Sequence, residues 1–299
     1  MKLQYYIKAM RLRTLPLSLG GVSLGVLLAA AGHPVQAGTV LSLILTTLSL
    51  QILSNISNEL GDFLRGTDTE DRQGPEYGLA SGKLSVHGIR VQMWIFVGLC
   101  MVFGLSMIRL SQGTLFSATS LGLTVLGAAA IWAAMHYTLG RNPYGYRGLG
   151  DLFVFLFFGL VAVIGAYFIT AGTLDSGLLL LPAAAVGAFS VAVLNVNNIR
   201  DIKTDAGKRT TVALQLGERR AKTYQTCLIA GGWICMLAYS LLQPFNLWHF
   251  LYLPTLPLYL KHLQLVRTRS DRGLDPALPL LTLSTLLFCL LAGLGFLAA

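Results

Sequence analysis

Charge is what this 299-residue sequence has least of. Asp, Glu, Lys and Arg make up 12% of it against 54% hydrophobic residues, and its mean hydropathy is +0.65. Such proportions exclude an ordinary soluble domain and describe a chain whose solvent is the bilayer. Cysteine is also scarce. Cys100, Cys227, Cys235 and Cys289 lie inside apolar runs with no CxxC pair, which excludes a disulfide framework or a thiolate metal site and leaves them as small core residues. No low-complexity segment interrupts the chain, so residues 1–299 read as one domain. A net charge of +9 would suggest nucleic acid in a soluble protein. Here the basic residues occupy short loops beside apolar spans, where they set orientation, and nucleic acid is not expected as a partner.

What the chain has is apolar runs, at about 15–32, 40–61, 92–110, 115–137, 152–171, 177–197, 224–243, 247–261 and 275–298. Most approach the ~20 residues a spanning helix needs. The expectation is an all-α, polytopic membrane protein of about nine transmembrane helices. The eighth run is short and carries Pro254 and Pro257, so a broken helix is expected there. Of the 22 basic residues all but Arg109 fall in the N-terminal segment or in alternate loops, which places the N-terminus and those loops in the cytoplasm and makes the protein an integral cytoplasmic or inner-membrane one. The basic start, the first apolar run and Val35-Gln36-Ala37 share features with a signal peptide. The run is long for one, and it is read as a retained helix.

Acidic residues are fewer still, 13 in all, and they are not scattered. Asn58 and Asp62 end the second run and share a helix face. Gly66 then frees the chain to turn so that Asp68 and Asp71 come back toward them. Asn197, Asp201 and Asp205 repeat the four-residue spacing after the sixth run, and two similar halves facing each other would bring both acidic sets to one cavity. A charge-rich inner loop is ordinarily a solvated face, and Glu70, Glu76, Lys83, Arg219 and Arg220 are read so. Asp62, Asp201 and Asp205 lie where an ionised carboxylate is expensive and therefore functional. Asn58 and Asn197 could serve the site or act as polar glue between helices.

Two carboxylates about 6 Å apart repel by roughly 3 kcal/mol at an effective dielectric near 20. A divalent cation is the natural compensation. Hard oxygen ligands without nearby His or Cys favour Mg2+, which prefers to be shared between carboxylates and a substrate's phosphates, so a diphosphate is expected. Arg200, Lys208 and Arg209 beside the second acidic set, with Arg141 and Arg147 in the middle loop, could neutralise phosphate oxygens.

Asn58-x-x-x-Asp62-x-x-x-Gly66-x-Asp68 followed by Arg72-Gln73-Gly74-Pro75 resembles the first aspartate-rich motif of the UbiA superfamily of intramembrane aromatic prenyltransferases. Asn197-Asn198-Ile199-Arg200-Asp201-Ile202-Lys203-Thr204-Asp205, then Gly207-Lys208-Arg209-Thr210, resembles its second motif in the form of the dihydroxynaphthoate-prenylating branch. Tyr137 and the block Pro143 to Asp151 look like that branch's middle loop, and Arg13-Thr14-Leu15-Pro16 its entry segment. Glu59, Gly66 and Asp151 depart from the common pattern.

The resemblance implies transfer of a polyprenyl group from its diphosphate to 1,4-dihydroxy-2-naphthoate, releasing diphosphate and CO2 on the way to menaquinone. It implies Mg2+ held by Asp62, Asp68, Asp201 and Asp205, with Asp62, Asp201, Arg147 and Lys208 as catalytic residues. Asn58, Arg72, Tyr137, Arg141, Tyr144, Asn197, Arg200 and Arg209 would contact substrate, and Arg141 or Arg13 would meet the naphthoate carboxylate. The prenyl tail would lie in a lipid-open groove. Membrane lipid and the two substrates are the expected partners, and no obligate protein partner is evident. The alternatives are another aromatic acceptor, such as 4-hydroxybenzoate, a tetrapyrrole or homogentisate, or a cation-coupled transporter whose half-repeats coordinate the ion.

Overall fold

The computed structural model describes residues 2–67 and 78–299. Apart from one isolated bridge, their regular structure is helical. A short helix α1 (Lys2–Ala9) precedes α2 (Leu15–Ala30), α3 (Ala37–Leu64), α4 (Val86–Gln112) and α5 (Ala118–His136). Then come α6 (Gly150–Ala171), α7 (Leu180–Arg200), α8 (Val212–Leu242), α9 (Leu256–Thr268) and α10 (Ala277–Leu297). Among the described residues eight helices are long and apolar enough to span a bilayer. The ninth, α9, has 13 residues. Pro254 lies in the second of two 3-10 segments before it and Pro257 in its first turn, where a missing N–H costs no intrahelical bond.

The helix α8 begins at Val212, well before the apolar run at 224. Its first turn, from Val212 to Leu216, is mostly apolar, Gly217 interrupts it with φ 73°, a value glycine adopts without strain, and the turns from Glu218 to Thr226 are mostly polar. The first apolar run is integral to the core, because α2 packs against α3, α6 and α10. Those approaches depend on small residues, as helix packing in lipid generally does. A Cβ on Gly25 would fall 2.2 Å from the Val163 carbonyl of α6, and one on Gly293 of α10 would fall 2.6 Å from Leu27 Cβ.

A buried aromatic cluster of Phe189, Trp233, Tyr252, Tyr259 and Phe288 fills the space between α7, α8 and α10. Asn195 donates to Gln225 Oε1 at 2.8 Å, Gln225 pairs with His262 Nε2 at 2.9 Å, and the other His262 nitrogen lies 3.0 Å from the Ala277 carbonyl. This chain of bonds satisfies polar groups that lipid could not and ties four helices of the second half. Cys100 and Cys289 are buried and Cys235 half-buried, whereas Cys227 is exposed; the expectation that all four are core residues fails for Cys227. The helix α5 is the least enclosed, with only Ser120 and Ala133 buried.

Candidate active site

Three loops converge at one end of the bundle: the residues after α3, the segment between α5 and α6, and the turn after α7. The first begins where α3 passes close to the chain after α5. A Cβ on Gly61 would lie 2.3 Å from Thr138 Oγ1, and that hydroxyl donates to the Ser57 carbonyl at 2.9 Å. Gly66 takes φ 65°, the turn expected of it. The second and third loops are zipped together: Thr210 N donates to the Tyr146 carbonyl at 3.0 Å and Gly148 N to the Thr210 carbonyl at 3.1 Å. Lys208 Nζ reaches the Thr67 carbonyl at 3.4 Å and so links the second motif to the first.

This scaffold surrounds a cavity of about 470 Å³ whose wall includes Asn58 and Asp62 from α3, and Asn197, Arg200 and Asp201 from the end of α7. Arg209, Tyr137 and Tyr144 line it as well. Asp62, Asp201 and Asp205 are each only 1–2% exposed. Tyr146 donates its hydroxyl to Asp62 Oδ1 at 2.7 Å and lies 2.7 Å from Thr67 Oγ1. Both oxygens of Asp201 are taken by Arg200, Nε to Oδ1 and Nη2 to Oδ2, each at 2.8 Å. Arg200 also donates to Asp275 at 3.0 Å. Asp205 is paired with Arg209. Burial alone would lower the Arg209 pKa, but the charges of Asp205 and Asp62 outweigh it and hold it above its usual value. Arg209 thus feels both motifs. Burial pushes the Tyr137 phenol up to about 12, so it stays neutral.

Several sequence-level expectations are placed differently. Arg147 and Arg141 are exposed, and neither is on the cavity wall; Lys208 is exposed and also off it. The backbone of Arg147 is turned to Thr210 instead. Of the two arginines suggested for the naphthoate carboxylate, Arg13 lines the cavity and Arg141 does not. Asp205 is buried against Arg209 and does not line the cavity. Asp68 and Arg72 lie outside the described residues. Tyr146, Thr67 and Asp275 were missed. Tyr146 stood in the middle-loop block between two chosen residues, while the approach of Asp275 to Arg200 has no local sequence signal.

Beyond the charged end the wall becomes aromatic and then aliphatic. Tyr137 and Tyr144 meet edge-on at 5.3 Å, Tyr144 stacks on Phe153 at 3.9 Å, and Phe153 is 6.3 Å from Phe157. A π-helical stretch, Phe155–Val161, lies within α6, a distortion common at functional sites.

An all-helical, multi-pass membrane bundle that gathers carboxylates and arginines at one end of an otherwise apolar cavity is built to hold an amphiphile with an anionic head. The model of the UbiA prenyltransferase family matches residues 18–286, and the chain belongs to that family. It is 39% identical to a 1,4-dihydroxy-2-naphthoate octaprenyltransferase of Escherichia coli (strain K12), over 90% of this chain and 86% of that one. With an enzyme of the same name from Haemophilus influenzae it shares 35% identity over 99% and 96% of the two chains. The fold is similar to that of a UbiA homolog from Archaeoglobus fulgidus bound to GPP and Mg2+, with TM-score 0.69 and 16% identity over 99% of this chain and 100% of that one.

Proposed function

We propose that this protein transfers a polyprenyl group to 1,4-dihydroxy-2-naphthoate, a step toward menaquinone. The observation that carries the reading is that Asp62 and Asp201, from motifs far apart in sequence, line one cavity whose remaining wall is aromatic and aliphatic. The names of the relatives supply the acceptor.

Among the described residues no three His, Cys, Asp or Glu side chains are grouped to hold a metal ion. The donors on the wall still suit Mg2+, which is commonly held by one or two carboxylates while substrate phosphates and water complete its shell. Asp62 and Asp201 would hold it, with Asp68 the further candidate. When bound, it would neutralise the diphosphate and improve it as a leaving group. Arg209 and Arg200, on the same wall, would meet further phosphate oxygens, which a guanidinium suits in charge and geometry.

As the bond from the allylic carbon to oxygen breaks, the aromatic wall formed by Tyr137, Tyr144 and Phe153 would stabilise the developing cation without capturing it. The apolar wall keeps water from it. The ring carbon bonds to the allylic carbon, diphosphate leaves, and the carboxyl departs as CO2, its bond electrons remaining with the ring. Arg13, on the cavity wall, would meet that carboxylate before it leaves. The positive-inside distribution of Lys and Arg puts the carboxylate end in the cytoplasm. With native cysteines replaced, Leu174→Cys should react with an impermeant thiol reagent in intact cells and Gln215→Cys should not; the reverse pattern would refute this orientation.

The direct test is purified protein with Mg2+, a polyprenyl diphosphate and either acceptor. Prenylated product and CO2 are expected from dihydroxynaphthoate alone, and EDTA should abolish them. Efficient turnover of 4-hydroxybenzoate would overturn the acceptor, and turnover of neither would overturn the reading.

A further inference from the structure

The turn between α9 and α10 carries a carboxylate that prenyl transfer leaves without a role. Asp271, with φ 50°, opens a 3-10 turn that runs to Leu274. Gly273 N donates to the Ser270 carbonyl at 3.0 Å and Asp275 N to the Arg272 carbonyl at 3.1 Å, which folds the turn tightly. Leu274 and Ala277 are fully buried in one cluster with Val196 and Ile199 of α7 and Val266 of α9. These two apolar anchors stand on either side of Asp275, so its place beside the end of α7 is fixed by burial and not by its own charge.

One guanidinium serves two carboxylates there. Arg200 gives Nε and Nη2 to Asp201 and Nη1 to Asp275 Oδ1. The Arg200 and Asp201 side chains are 3% exposed and that of Asp275 is 48%, and all three residues line the cavity. The consequence is one of charge. Asp201 with Arg200 alone is a neutral pair, as is Asp205 with Arg209, and a carboxylate cancelled by its own arginine attracts a divalent cation weakly. Asp275 on the third nitrogen sets two carboxylates against one guanidinium, and the group becomes negative. It also gives Arg200 an anchor independent of Asp201, so that the guanidinium keeps its place on the wall when an Asp201 oxygen turns to a cation.

We propose that Asp275 is a positioning residue of the second motif, which by sharing Arg200 restores the charge that the arginine takes from Asp201 and frees an Asp201 oxygen for Mg2+. It acts through the arginine, to which its Oδ1 is bonded. The inference rests on the prenyltransferase reading, in which Asp201 holds the ion with one other carboxylate. Asp271 supplies the contrast. It stands four residues earlier on the same turn, is paired with Lys203 and is off the cavity wall. A negative charge on the turn is therefore not enough; the bond to Arg200 is what couples Asp275 to the site.

The test measures binding of Mn2+ alone, a cation of the same hard-oxygen preference as Mg2+, to the full-length protein in detergent, from the loss of the free ion's paramagnetic resonance signal. Asp275→Asn should raise the Kd about tenfold, the scale of removing one partly screened charge near a divalent ion. Asp275→Ser, neutral and smaller, should do the same, and Asp275→Glu, which keeps the charge, should return the Kd to nearly the wild-type value. Asp271→Asn should leave it unchanged. The Mg2+ concentration giving half-maximal turnover should follow the same order among the variants. A wild-type Kd in the neutral Asp275 variants, an equal loss in Asp271→Asn, or no Mn2+ binding by the wild-type protein overturns the proposal. A folded Asp275→Glu that loses the affinity overturns it even where the neutral variants fail to fold. Turnover of dihydroxynaphthoate by wild-type protein together with an unchanged Kd in the neutral variants overturns this proposal alone. The expected loss of Mn2+ affinity in a protein that prenylates neither acceptor keeps the role of Asp275 and overturns the prenyltransferase reading.

Discussion

The ends of α3 and α7 carry the same pattern, an Asn followed four residues later by an Asp, yet the two acids are held by different chemistry. Asp62 accepts a neutral phenol, from Tyr146, which the middle loop delivers. Asp201 is gripped at both oxygens by the guanidinium of its own neighbour, Arg200, and Asp205 one turn on is gripped by Arg209. A repeated spacing therefore built two carboxylates with different hydrogen-bond donors beside them. The second set brings its own cations, and Arg209 extends its field to Asp62. Arginines beside the carboxylates suit a diphosphate, whose charge they can meet together with a metal, better than they suit a bare translocated cation.

The largest effect should come from removing either acid. If both act on one diphosphate, Asp62→Asn and Asp201→Asn should each lower turnover about 100-fold or more, the scale of losing a preorganised partner to transition-state charge. The double variant should be little worse than either single one, since members of a unit are non-additive. Fully multiplicative losses in the prenyl-transfer assay would mean that the two motifs do not share a substrate, and the comparison would break.

Arg209 sharpens it next. Arg209→Met leaves Asp205 as a buried charge without its ion-pair partner and should cost about 3–5 kcal/mol of stability. Asp205→Asn combined with Arg209→Met should recover much of that in a thermal-unfolding measurement in detergent, while activity stays low because Arg209 also serves the cavity. Full recovery of activity in the double variant would make Arg209 a purely structural cation.

Tyr146 is the corresponding probe of the first motif. A hydrogen bond to a charged group contributes about 1.5–3 kcal/mol, so Tyr146→Phe should lower kcat roughly tenfold. The KM for dihydroxynaphthoate should hardly move, because the phenol positions Asp62 and does not line the cavity. A change in KM with kcat intact would place Tyr146 in the acceptor site instead.

The sequence disclosed the framework more readily than the direction of its charges. Spans were legible because an apolar run of helical length has few other uses, and the shortness of α9 because Pro254 and Pro257 stand at its start. The start of α8 was hidden, since the polar residues from Glu218 to Thr226 separate its apolar first turn, capped by Thr211 at 3.2 Å, from the apolar run. Asp62 and Asp201 could be singled out because acids at the ends of apolar runs are costly. Arg147 and Lys208 are different: residue type says that a loop is basic, but whether a side chain turns inward depends on backbone pairing, here that of the middle loop with Thr210. Tyr146 was hard to choose for the same reason, because its hydroxyl meets Asp62 only once that pairing has set the loop.

The smallest effect belongs to a pair on the same short turn as Asp201 and Asp205. Lys203 Nζ lies 2.8 Å from Asp271 Oδ2, a distance like that of Arg200 to Asp201, but the lysine side chain is 66% exposed and the arginine 3%. The hydrogen bond and charge of Asp271 raise the Lys203 pKa, so the ammonium stays charged throughout the neutral range. Water screens it, and holding two flexible side chains in register opposes what attraction remains. Lys203→Met should therefore leave turnover within about twofold and the unfolding temperature in detergent nearly unchanged, as measured exposed pairs do. A loss comparable to that of Arg209→Met would mean that the position along the turn governs the second motif, and that burial, on which the contrast between the two motifs is built, does not.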